Sequence, residues 1–160
     1  MRTIAFGLAA FGLVAAASAQ DIQKLRKTAK APKELAVQGL VNIDDACESK
    51  ELPEIELDSP PKGGTLCMRS GMVRLASTWS GRNQHCIGKR VSGVFVIYLP
   101  FGNFTGLDTM RYTVKVEPPQ MRTYEAEIRV EPGHTIIGPK STSSESQKAG
   151  PMPTCPAFVS

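Results

Sequence analysis

Histidine, tryptophan and helix-length apolar periodicity are scarce in this sequence, and each scarcity narrows the chemistry open to it. There are two histidines, His85 and His134, and one tryptophan, Trp79. No G-x-S-x-G elbow marks a serine nucleophile. No C-x-x-C or H-x-x-x-H spacing supplies a zinc cage. His85, directly beside Cys86, is poorly placed for both to ligate one tetrahedral ion. No glycine-rich loop opens a helix to cradle phosphate. Asp44 and Asp45 read as a hydrated turn, whereas general-acid work needs a desolvated carboxyl. These gaps point away from an enzyme: no catalytic residue, metal or cofactor is expected. Aromatic residues make up only 6% and the basic residues are dispersed, which is not a nucleic-acid signature. The net charge of +4 is mild and favours anionic surfaces in general.

Long apolar runs are also missing, with one exception at the start. Arg2 is followed by an apolar run over residues 4–16, short for a bilayer span, and then by Ala17-Ser18-Ala19. That is the layout of a secretory signal peptide over 1–19, cut between Ala19 and Gln20. No transmembrane segment is expected in the mature chain. What remains is enough for one domain. Behind an export signal, the four cysteines Cys47, Cys67, Cys86 and Cys155 read as two disulfides in an oxidising compartment, periplasmic or extracellular. Of three possible pairings, Cys67–Cys86 with Cys47–Cys155 is favoured: the first closes a loop within one sheet region, the second ties the flanks to the domain.

The pattern along the chain is mostly β, with almost no helix. Residues 20–45 begin as a basic leader, with Lys24, Arg26, Lys27, Lys30 and Lys33 against Asp21 alone. Ile22, Leu25 and Ala29 have helical spacing, so a short frayed helix or a disordered arm is expected before Pro32. A sandwich domain is expected over 46–138. Strands are predicted at 51–57, at 65–68 and 72–77 around Ser70-Gly71, and at 91–99, where apolar residues occupy both faces of a central strand. Residues 109–116 alternate with Met110, Tyr112, Val114 and Val116 inward. Residues 122–130 alternate with Tyr124, Ala126, Ile128 and Val130 inward, giving a hairpin with one wet face. A short strand at 135–137 follows, and residues 139–160 read as a Ser/Pro-rich flexible tail. Short strands punctuated by Gly and Pro give an all-β antiparallel sandwich.

The stretch from Tyr98 to Val114 reads as a corner of scaffold. Pro100 ends a strand, and Gly102 and Gly106 permit positive φ. Phe104 plugs one end of the sandwich, and Asp108 accepts bonds from loop amides. The Tyr112 hydroxyl bonds back to the loop, as in a tyrosine corner. The pattern Y-x-P-x-x-x-F-x-G-x-D-x-x-x-Y-x-V resembles the signature of bacterial cadherin-like or Ig-like β-sandwich domains. Pro61-Lys62-Gly63-Gly64-Thr65-Leu66 is similar to their P-x-x-G-x-V turn and strand. The resemblance covers roughly residues 52–130 and implies a non-enzymatic module of an exported protein, in a single copy. Two features depart from it: Glu117-Pro118-Pro119-Gln120 replaces the usual D-x-x-G turn, and the acidic clusters of calcium-binding linkers are absent. The reading is thus a structural or binding module of the bacterial envelope, facing a protein or an anionic envelope polymer. Its contact surfaces are expected at the 78–89 loop, with Trp79, Arg82 and Lys89, and on the basic leader. A small secreted enzyme inhibitor is the alternative, and a hydrolase comes behind it.

Overall fold

Apolar side chains recurring at every second residue build one strand after another. The computed structural model describes residues 22–78, 81–116, 120–133 and 147–155. In chain order the strands are β1 (Ile22–Ala31), β2 (Leu35–Leu40), β3 (Glu54–Ser59), β4 (Gly64–Arg74), β5 (Arg90–Pro100), β6 (Gly106–Val116), β7 (Gln120–Pro132) and β8 (Gly150–Pro151), with a 3-10 turn at Gln84–Cys86. They form two sheets, β1-β7-β6-β3-β8 and β2-β5-β4. The fold is the expected all-β sandwich with two disulfides.

The central hairpin follows the sequence pattern. Met110, Tyr112 and Val114 of β6 and Tyr124, Ala126, Ile128 and Val130 of β7 are buried between the sheets. Tyr112 and Tyr124 lie directly opposite and stack with ring centroids 5.4 Å apart, worth about 0.5–1.5 kcal/mol beyond their burial. β5 lies between β2 and β4 and buries Val94, Val96 and Tyr98 toward the core. Ile97, of opposite parity, is buried too, as expected of a strand covered on both faces. The two strands expected around Ser70-Gly71 are one continuous β4. A second, smaller core of Cys47, Leu75, Cys86 and Val91 forms under Val41 and Ile43 where loops fold over one end.

Three expectations are corrected. The basic leader is neither a helix nor a free arm: it is β1, paired in parallel with β7 from Ile22↔Thr123 to Ala31↔Pro132. Its buried residues, Ala29 and Ala31, are two apart rather than three or four, and the open edge of β7 supplies the ladder. The sheet is therefore not wholly antiparallel.

The disulfides join Cys47 to Cys86 and Cys67 to Cys155, with Cα–Cα distances of 5.6 and 4.8 Å. The favoured pairing fails because β4 does not stop at Ser70. It carries the chain on to Arg74, roughly 23 Å beyond Cys67. Cys86 thus sits at the far end of the sheet, beside the β2–β3 loop that holds Cys47.

The C-terminal segment is not all loose. Residues 147–155 form a strap from the edge of one sheet to the edge of the other. β8 pairs with β3 at Leu57 and Glu56, and Met152 N–H donates to Ile55 O at 3.0 Å. Then Met68 N–H donates to Pro153 O at 2.7 Å, and Cys155 N–H to Met68 O at 2.8 Å, on β4. The Gln147 amide bonds both the N–H and the carbonyl of Leu66, each at 2.8 Å. Met152 is buried in the gap between the sheets. The signal peptide expected over 1–19, Trp79, Glu117-Pro118-Pro119, His134, the strand expected at 135–137 and the first part of the tail lie outside the described residues.

Candidate functional site

The Tyr98–Val114 corner comes together as a knot. The carboxylate of Asp108 is buried and accepts four hydrogen bonds. Oδ1 takes Lys62 N–H at 2.9 Å and Thr109 N–H at 3.1 Å; Oδ2 takes Gly63 N–H and the Tyr98 hydroxyl, each at 2.8 Å. Asp108 thus fixes the turn between β3 and β4 rather than its own loop. The Phe104 ring lies where a Cβ of Gly63 would be, and the Tyr98 ring fills the same space at Gly64. Gly106 has a φ of 117°, as expected; Gly102 is not among the positive-φ residues. Tyr112 does not bond back to the loop. Its hydroxyl donates to Gln38 Oε1 of β2 at 2.8 Å, because four residues of strand carry it about 13 Å from Asp108. Burial, then the Asp108 hydrogen bond, push the Tyr98 phenol well above the usual tyrosine range, and burial does the same to Tyr112. Every oxygen of the knot is spent on structure.

His85 lies exposed in the 3-10 turn, its Nε2 2.9 Å from Asp45 O and 3.5 Å from Cys86 Sγ. Cys47, His85 and Cys86 bring their ligand atoms within 4.8 Å of one another. Both sulfurs are tied in the disulfide and carry no thiolate for a metal.

Another concentration of polar groups is a cleft of about 940 Å³ at the end of the sandwich away from the knot. β1 lines it through Gln23, Leu25 and Lys27, β2 through residues 37–40, and the loops through Asp44, Asp45 and Arg82. Arg74 and Arg90 line it from the last pair of the β4–β5 ladder, where they stand directly opposite each other. Like charges in that position cost stability. Lys50 and Arg122 complete six cations against Asp44 and Asp45. Among the described residues, Lys27, Lys50, Arg74, Arg82 and Arg90 make no ion pair. Asp44 is committed to its own turn, where Oδ1 accepts Ala46 N–H and Glu48 N–H, each at 2.9 Å.

Of the expected contact loop, the structure brings Arg82 into this cleft. Lys89 is exposed nearby but does not line it, and its carbonyl accepts Leu75 N–H at 2.9 Å. Lys27, Lys50, Arg74 and Arg90 were not legible as a group, because they come from four separate segments. Only the strand register makes the Arg74–Arg90 opposition visible. Comparison of the chain with protein families, with curated proteins and with solved structures finds no match.

Proposed function

We propose that the chain is a non-enzymatic, exported binding module of the bacterial envelope, an Ig-like sandwich that presents the basic cleft to an anionic partner. The observation that carries this is the set of cations in the cleft that make no ion pair among the described residues, Lys27, Lys50, Arg74, Arg82 and Arg90, above all Arg74 set against Arg90 at a cost to the fold. The strand order supports the Ig-like part. β2, β4 and β5 share one sheet and β3, β6 and β7 the other, the same partition as strands B, D, E and C, F, G of immunoglobulin domains. Two disulfides fit an oxidising compartment. The Asp108 knot supports a scaffold role for the motif, since its carboxylate is saturated with donors.

The test is capture from an envelope extract by the wild-type chain and by Arg74→Ser/Arg90→Ser. The double variant is expected to lose the partner that the wild type retains. Identical captured sets would remove the cleft as the contact surface.

One observation favours the inhibitor as a second reading. Ile87 is 49% exposed and immediately follows Cys86, on a loop held by the Cys47 disulfide. A rigid loop with an exposed apolar residue is what an enzyme cleft would accept. Ile87→Ala should then abolish inhibition of a susceptible secreted hydrolase.

A further inference from the structure

The outer face of the larger sheet is striped by charge. β1 presents Lys24, Arg26 and Lys30; next to them β7 presents Glu125, Glu127 and Glu131 in direct register. β6 follows with Arg111 and Lys115, and β3 with Glu54, Glu56 and Asp58. Arg129, opposite Thr28, is the exception. Ion pairs link each stripe to the next: Arg26–Glu127 at 3.7 Å, Arg111–Glu125 at 2.9 Å and Lys115–Glu56 at 2.8 Å. From β3 outward the signs run negative, positive, negative, positive. The series stops at β1, a ten-residue strand with no strand on its other side among the described residues. Half of its backbone N–H and C=O groups therefore point away from β7.

We propose that the β1 edge takes up an extended segment of another protein as a further strand, and that this segment alternates acidic with apolar residues. The inference deepens the binding reading above and rests on it. An added strand sets alternate side chains on opposite faces. Those on the outer face stand beside Lys24, Arg26 and Lys30, which select carboxylates. Those on the inner face enter the cleft beside half-buried Leu25 and buried Val37.

The same features disfavour a second copy of this chain pairing through β1 or β3. Two β1 edges would oppose their cations. The acidic strand β3 carries β8 along its outer edge at Glu56 and Leu57, with the strap beyond it. Basic side chains on an edge strand also discourage unselective pairing. Here Lys27, pointing inward, serves that end, while the outward cations stand in line with the stripe.

The probe is a soluble ten-residue peptide alternating Glu and Val, titrated into the secreted chain at low salt. Two controls are a peptide of the same composition in block order and an alternating Lys/Val peptide. Binding is read calorimetrically and by hydrogen exchange of the β1 amides. The alternating Glu peptide is expected to bind, to slow exchange along β1, and to weaken as salt is added. Lys24→Glu/Arg26→Glu should weaken it about tenfold. The milder Lys24→Gln/Arg26→Gln gives a partial loss should the reversal compromise folding.

Equal binding of the block peptide overturns the proposal, as does protection away from β1 or no binding by the folded wild type. If the peptide fails while extract capture still depends on Arg74 and Arg90, the edge inference falls and the binding module stands. If both fail, both fall.

Discussion

Replacing Asp108 strikes the scaffold at its most connected point. The side chain is 3% exposed and accepts four bonds, from Lys62 N–H, Gly63 N–H, Thr109 N–H and the Tyr98 hydroxyl. Bonds to a charged acceptor contribute about 1.5–3 kcal/mol each, and a buried donor left unsatisfied costs about 1–3 kcal/mol. The Lys62 and Thr109 amides are less deeply buried and recover part of their bonding from water. The Gly63 amide and the Tyr98 hydroxyl do not. Asp108→Ala should therefore destabilise by about 3–5 kcal/mol, a large share of the roughly 5–15 kcal/mol typical of a domain. Asp108→Asn keeps one acceptor oxygen but turns an NH2 toward the Gly63 amide, so about 2–3 kcal/mol is expected. Tyr98→Phe removes a single bond, for about 1–2 kcal/mol.

The assay is equilibrium unfolding in urea with both disulfides intact, comparing midpoints at constant slope. The predicted order of loss is Asp108→Ala, then Asp108→Asn, then Tyr98→Phe. The double variant Asp108→Ala/Tyr98→Phe should cost less than the sum of its parts, since both act on one bond. Should Asp108→Asn unfold within about 0.5 kcal/mol of wild type, a surface-like effect, the knot is not what holds the turn between β3 and β4.

Other consequences are as direct. Replacing Cys67 and Cys155 by serine should cost about 4.6 kcal/mol in the chain-entropy model, for a separation of 88 residues. It should also speed amide exchange at Met152 and Cys155, whereas a non-reducing peptide map joining Cys67 to Cys86 would refute the topology. Gly63→Ala must displace the Phe104 ring, for about 1–3 kcal/mol in a thermal melt. In a Phe104→Ala background Gly63→Ala should be nearly silent, and full additivity would contradict that contact. In an alkaline titration, the raised pKa values of Tyr98 and Tyr112 keep both phenols protonated in the fold past the point where an unfolded tyrosine ionises. The stability they carry is whole below the unfolded tyrosine value and is lost as pH rises beyond it. Tyrosinate absorbance from these two should therefore appear only with unfolding, and its growth in the folded chain would refute their burial.

What could be read in advance was what period and turn chemistry encode locally. β6 and β7 alternate over long stretches, and β5 carries apolar residues on both faces, so their strands and the sandwich were legible. So was the turn between β5 and β6 within Tyr98–Val114, though not that Asp108 reaches across to the β3–β4 turn. β1 was not legible, because Ile22, Leu25 and Ala29 also fit a helix and only the free edge of β7 decides between the two. The strap was hidden by its two prolines and its place at the end of a Ser/Pro-rich stretch: its side-chain anchorage is one buried methionine, one amide side chain and Cys155. Disulfide partners depend on where β4 stops, which a Ser-Gly pair misreported. The cleft collects its cations from distant segments, and no local pattern announces such a site.

Arg74 offers the most direct trial of the binding reading, because there function and stability are expected to move in opposite directions. Arg74→Glu turns an unfavourable cross-strand pair with Arg90 into a favourable one. The folded state should gain about 1 kcal/mol in urea unfolding. Retention of the partner proposed for the cleft should fall at the same time. A variant that is more stable and no longer captures the partner is the predicted result; one that is less stable, or that gains stability and captures as before, contradicts it.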